Sequence, residues 1–201
     1  MKETRLNTKT LFELALFTAL VIALQILSRY LRFGNLSITL ALIPIVVGAA
    51  VYRPLAGAWL GFVFGVTVLL IGDADVFLAV SSWKTILVVL TKGMLAGWCA
   101  GRVYSLLEKK NRYAAVIAAA VVCPLVNTGV FLLGCLLFFK DTVADMGREV
   151  GFADLGTFMI VGLVGLNFLV EMATTVILSP AVLRLVHIGR HGPADQETDD
   201  A

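Results

Sequence analysis

The sequence predicts an all-α, polytopic membrane protein with six transmembrane helices in one bundle. Three observations carry that expectation. Of its 201 residues, 59% are hydrophobic and 15% charged, with a mean hydropathy of +0.93, well beyond the apolar share of an ordinary soluble domain. The apolar residues gather into runs near the roughly 20 that cross a hydrocarbon core. The basic residues flank those runs unequally.

Polar and turn-forming breaks place the helices at about residues 9–30, 38–52, 54–71, 82–106, 113–139 and 158–186. The first begins after Lys2, Arg5 and Lys9, as a signal peptide would, but its apolar run continues to Ser28 without a small-residue cleavage site. An uncleaved first helix is expected. Within it Ala15, Ala19 and Ala23 recur every fourth residue, a narrow stripe along one face. The second and third helices are short and meet at "YRP", where Pro54 suits a first helical turn, so a tight hairpin is expected. Gly57, Gly61 and Gly65 on the third helix, and Gly93, Gly97 and Gly101 on the fourth, are also spaced by four. Such stripes let backbones approach closely, and packing within the bundle is their expected use. After the fifth helix the segment "KDTVADMGREVGFADLG" is longer than a connection needs, and it reads as a lid. Residues 1–186 form one transmembrane domain in this reading. Residues 187–201, ending "HGPADQETDDA", are expected to be a disordered tail.

With the N-terminus inside, ten basic residues fall on inner segments: Lys2, Arg5, Lys9, Arg53, Arg102, Lys109, Lys110, Arg112, Arg184 and Arg190. Four fall outside: Arg29, Arg32, Lys140 and Arg148. The asymmetry predicts a multi-pass plasma-membrane protein with both termini cytoplasmic. A formal net charge of +2 without a basic block argues against nucleic acid as a partner. Cys99, Cys123 and Cys135 lie in apolar runs without ligand spacing, and read as small buried hydrophobes rather than disulfide or metal residues. No histidine occurs in a predicted span before His187, and neither a nucleophile elbow nor a phosphate loop is present. Catalysis, a metal site and a resident cofactor are therefore not expected. Uphill transport would need ATP hydrolysis on another subunit.

An ionised side chain at a helix centre costs roughly 2.5 to 3.5 kcal/mol on insertion scales, so buried polar groups tend to face a cavity or a partner. Lys84, Lys92, Asn127 and Glu171 stand out on that ground. Lys92 and Glu171 fall at comparable depths and could pair. Lys84, beside Trp83, could equally snorkel to the interface. On a helix Lys84 and Thr91 lie about 20° apart and Lys92 about 80° from Lys84, a polar sector away from the glycine stripe. Asn167 and Glu171 are about 40° apart and share a face. With Asn127, which follows the helix-weakening Pro124 in "CPLVNTGVF", they would converge in the outer half of the bundle.

The stretches "SITLALIPIVVGAAVYRPLAGAWLGFVFGVTVLL", "CPLVNTGVF" and "NFLVEMATTVILSPAVLRL", with the alanine spacing of the first helix, resemble the substrate-binding S components of energy-coupling factor (ECF) vitamin transporters. The resemblance covers most of the chain. It implies an outer-face pocket for a vitamin or related micronutrient, and docking on a membrane coupling subunit joined to two cytoplasmic ATPases. It implies Ala15, Ala19 and Ala23 as docking residues, and Trp83, Lys84, Asn127, Asn167 and Glu171 as substrate-binding residues. It does not select a substrate. The alternative is a membrane scaffold or cell-shape factor without a small-molecule ligand, which would not need converging polar groups beneath a lid.

Overall fold

The computed structural model describes residues 8–30, 32–33, 36–37 and 39–190. Lys2 and Arg5, and residues 191–201 of the expected tail, lie outside the described residues. Among those described, five helices are long and apolar enough to cross a membrane: Thr10–Tyr30, Leu42–Leu70, Ser82–Leu107, Arg112–Phe138 and Leu155–Ala181. The only strands among them are β1 (Arg32–Phe33) and β2 (Leu36–Ser37), a two-residue antiparallel ladder. It follows α1 (Thr8–Tyr30).

The hydrophobic run Leu42–Leu70, α2, is not straight. Arg53 has φ 77 and ψ 171, and on either side of it the chain folds back. Gly48 meets Leu60, and Gly57 meets Ala49, pairs that a continuous helix would hold about 18 and 12 Å apart. The arms, residues 42–52 and 54–70, are thus antiparallel. This is the expected hairpin, and Pro54 opens its second arm because a first-turn residue needs no amide donor.

The second arm packs antiparallel on α4 (Ser82–Leu107) through the two glycine stripes. A Cβ on Gly61 would overlap the Gly93 carbonyl, one on Gly97 would overlap the Gly57 carbonyl, and one on Gly65 would stand 2.9 Å from the Val89 carbonyl oxygen. Backbones this close admit only hydrogen at those positions. On the other side α1 packs inward with Phe17, Val21, Gln25 and Ser28, spaced as one helical face. It is tied to α2 where Tyr52 donates to Glu13 and where Trp59 Nε1 donates to Thr18 Oγ1 at 3.2 Å.

α5 (Arg112–Phe138) starts at Asn111, whose side chain accepts from the amides of Tyr113 and Ala114 at 3.0 and 3.1 Å; this satisfies donors that a helix start leaves open. It then passes through Pro124 as one helix. Several short elements were not anticipated in the sequence. α3 (Asp75–Val80) follows the Gly72 turn, where φ is +79. The expected lid is mostly helix rather than loop: α6 (Lys140–Glu149) turns Val143 and Gly147 inward and its charges outward. The chain returns through α7 (Leu155–Thr157), capped by Asp154, and a π-helical run, Phe158–Val164. α8 (Gly165–Arg190) closes the bundle, and continues helical through residues 187–190 of the expected tail.

Candidate functional site

A cavity of about 230 Å³ lies toward the end of the bundle that carries the β ladder, α3 and α6. Each wall follows from helical spacing. On α4 Thr85, Val88, Val89 and Lys92 face it; on α5 Asn127, Thr128, Phe131 and Cys135; on the last segment Val164, Asn167, Phe168 and Glu171. On α4 and α5 these are the i, i+3, i+4 and i+7 positions, or nearly so, of single helix faces, and Asn167, Phe168 and Glu171 share one face of α8, whereas Val164 ends the π-helical run before it. α1 adds Gln25, the second arm of α2 adds Phe64 and Val68, and the turn after it adds Asp73 and Ala74.

The polar groups are deeply placed. Gln25, Asn127 and Glu171 are 4%, 6% and 8% exposed. Gln25 Nε2 donates to Asp73 Oδ2 at 3.0 Å, joining α1 to the turn beyond α2. The Thr39 hydroxyl hydrogen-bonds the Glu171 carboxylate. Gln25 Oε1, Asn127 Oδ1 and Glu171 Oε1 have no hydrogen-bond partner among the described residues. The Lys92 ammonium lies 5.1 Å from the ring centre of Phe131 and 5.9 Å from that of Phe64, within the range of cation–π attraction. Glu171 and Asp73 act on it electrostatically, but it makes no contact ion pair with Glu171. An exposed pair on α6, Arg148 with Asp145 at 2.8 Å, is of the kind that contributes little to stability.

Above the cavity, Phe139, Val143, Phe158 and Met159 form a small separate core with Cys135. Phe77 stacks edge-on against Phe131 and Phe139, at 5.7 and 5.1 Å between ring centres. Phe77, Phe131 and Phe139 also line the cavity, so α3, α6 and the π-helical run meet at its rim. Asp154, fully in solvent, accepts from the Thr157 amide at 2.7 Å and from the Thr157 hydroxyl at 3.0 Å. Those bonds hold its carboxyl below the usual carboxylate range.

Of the side chains singled out in the sequence, Asn127, Asn167 and Glu171 come together on the cavity wall. Trp83 and Lys84 do not line it. Both are exposed, Trp83 at 74%, because α4 turns Thr85 and Lys92 inward and leaves its first turn facing out. Lys92 supplies the cation within the site. Gln25, Thr39 and Asp73 were not anticipated. Gln25 could have been found as a lone amide in an apolar run, whereas Thr39 and Asp73 reach the wall through turns that carry no motif. Ala15, Ala19 and Ala23 are all exposed, about 200° around α1 from Phe17, Val21 and Gln25. All three cysteines are free, and Cys135 borders the cavity.

Neither the curated proteins nor the solved structures contain a significant match to the chain. The sequence model of the family described as "ECF transporter, substrate-specific component" matches residues 9–183, a span that includes the hairpin, both glycine stripes and every cavity residue named above. With buried acceptors around a cavity and a match over most of its length, the chain belongs to the family of ECF transporter substrate-specific components, transport subunits that act with coupling and ATPase modules and are not enzymes.

Proposed function

We propose that this subunit captures a vitamin or related micronutrient in the cavity walled by Asn127, Asn167 and Glu171, with Lys92 and Gln25 completing the polar set. The observation that carries this reading is the pair of buried, unpartnered oxygens Asn127 Oδ1 and Glu171 Oε1 on one cavity wall. An unsatisfied buried acceptor costs about 1 to 3 kcal/mol, and a bound molecule offering donors removes that cost. A scaffold gains nothing from such a site, and family membership favours capture over it. Trp83 and Lys84 suit the membrane interface, where an indole and a snorkelling ammonium are stabilised.

The cavity opens outward and both termini are cytoplasmic in this reading. If the two arms of α2 count as separate crossings, the bundle has six. The inner ends then carry Arg53, Arg102, Lys109, Lys110, Arg112 and Arg184, in keeping with the positive-inside rule. Docking on the membrane coupling subunit uses the uncovered Ala15, Ala19 and Ala23 face, and ATP is hydrolysed by the partner's two cytoplasmic ATPases.

The test is to denature protein purified from its host and identify any small molecule released by mass spectrometry. One compound at near-stoichiometric yield is expected, and it should be strongly depleted from Asn127→Ala and Glu171→Gln proteins that keep the parent's elution profile. No released compound, and no binding across a panel of vitamins, would sink the capture reading.

A further inference from the structure

A groove separate from the cavity lies between α5 and α8 at the basic end of the bundle, lined by Arg112, Tyr113, Val116, Pro180, Leu183 and Arg184. The start of α5 meets the far part of α8 there, and Arg184 Nη2 donates to the Tyr113 hydroxyl at 3.0 Å. The guanidinium carbon of Arg184 is also 5.8 Å from the centre of the Tyr113 ring, within cation–π range. Tyr113 thus orients Arg184, engages one of its N–H donors and leaves the rest. Among the described residues neither arginine is paired with a carboxylate, and no carboxylate lines the groove. Glu108, a turn before Arg112, is exposed and outside the lining.

Depth gives the two cations their meaning. Arg112 is the first residue of the apolar span Arg112–Phe138, and the bond to Tyr113 holds Arg184 at the same level. Both guanidiniums therefore stand where hydrocarbon gives way to headgroups, the level that also suits a tyrosine. Toward the bilayer interior the surface turns apolar. Val116 and Leu183 are buried in the groove at 2% and 5% exposure, and Ile117 and Ile177 are 45% and 70% exposed. These isoleucines continue the same sides of α5 and α8, about one and two turns deeper than Tyr113 and Arg184. A phosphate that carries an acyl chain complements both halves. Guanidinium matches phosphate in charge and in its forked donors, and the chain covers the isoleucines. Lys109 and Lys110, exposed in the turn before α5, add attraction for an anionic surface.

We propose that this groove binds an anionic phospholipid of the leaflet at the basic end, with Arg112 and Arg184 on the phosphate and an acyl chain along Val116, Ile117 and Ile177. The site is independent of the cavity and of what the cavity captures. Native mass spectrometry of the purified, delipidated full-length protein, titrated in detergent with phosphatidylglycerol or phosphatidylcholine of matched chains, tests it. Phosphatidylglycerol should bind at least about tenfold more tightly, since each basic residue at an anionic lipid contributes about a factor of five. That preference should vanish in Arg112→Gln/Arg184→Gln protein that elutes as the parent does. It should survive in Lys109→Gln/Lys110→Gln, which removes the same charge outside the groove. Glycerol 3-phosphate, the headgroup chemistry without the chains, should not displace the lipid at equal concentration. Equal binding of the two lipids by the parent chain overturns the proposal without recourse to any variant. An equal loss in both double variants also overturns it, by reducing the groove to general basic attraction, and displacement by glycerol 3-phosphate does so by making the occupant a soluble phosphate. A preference that survives Arg112→Gln/Arg184→Gln places the lipid elsewhere; if that variant instead stops co-purifying with the coupling subunit, the groove belongs to the partner.

Discussion

Asn127 gathers much of the chemistry into one side chain. It is 6% exposed, it sits one turn beyond Pro124 on an otherwise apolar helix, and its oxygen has no partner among the described residues. Removing a partner from a buried hydrogen bond costs about 1 to 3 kcal/mol, or roughly 5- to 150-fold in affinity. Asn127→Ala should weaken binding of the released compound by that factor in equilibrium titration, with little change in thermal stability, because the free protein leaves the oxygen unsatisfied. Unchanged affinity would assign Asn127 to packing alone. Arg53 makes the opposite kind of prediction. Its φ of 77 with ψ of 171 belongs to a region that essentially only glycine occupies, at a cost of about 1 to 3 kcal/mol for other residues. Arg53→Gly should therefore raise the midpoint of thermal unfolding in detergent; a lower midpoint would show that the side chain contributes more than the strain removes.

At the scale of elements, the contact between the second arm of α2 and α4 is the least tolerant part of the bundle. A methyl on Gly61 or Gly97 meets a backbone carbonyl rather than a movable side chain, so the helices themselves must separate. Overpacking costs about 1 to 3 kcal/mol, and Gly61→Ala should lower thermal stability by that order, whereas Gly129→Ala, where no atom lies within 4 Å, should be nearly neutral. Equal effects at the two positions would contradict the close approach. α1 offers a contrasting stripe. Ala15, Ala19 and Ala23 are uncovered in the isolated subunit, so Ala19→Leu should leave ligand binding intact while reducing co-purification with the coupling subunit, since a larger side chain would hold two helices apart along their crossing. Undiminished complex formation would place the docking face elsewhere.

For the whole molecule, the ends of the bundle differ in kind. One end carries the Arg53 turn, the connection between α4 and α5 and the far end of α8; the other carries the β ladder, α3, α6 and the cavity. The first is basic, and the second holds Asp73, Asp75, Asp141, Asp145, Glu149 and Asp154. Lys and Arg are retained on the cytoplasmic side during insertion, so accessibility reporters placed after Lys110 and after Arg190 should both read cytoplasmic, and one placed at Gly151 should read external. A reporter at Gly151 that reads cytoplasmic would invert the molecule and close the capture site to outside substrate.

Sequence alone determined what depends on composition and on spacing within one helix. Residence in a membrane follows from hydropathy, the α2 hairpin from Pro54 between two short runs, and the packing role of the glycine stripes from their period of four. Asn167 and Glu171 share a face for the same reason. Tertiary structure decided what depends on the relative rotation of helices and on turns. Lys84 and Lys92 lie about 80° apart on α4, and only the position of α5 and α8 shows that Lys92 faces the cavity while Lys84 faces out. The π-helical run ends at Gly165, with φ +30, and resets the register of α8; a continuous helix from residue 158 would have carried a different phase into Asn167 and Glu171. Gln25, Thr39 and Asp73 enter the site because α1, the chain after β2 and the turn after α2 converge there. Three-dimensional convergence of segments far apart in the chain leaves no local pattern, because a hydrogen bond between residues 48 positions apart, such as Gln25 to Asp73, is selected by the fold and not by its neighbours in sequence.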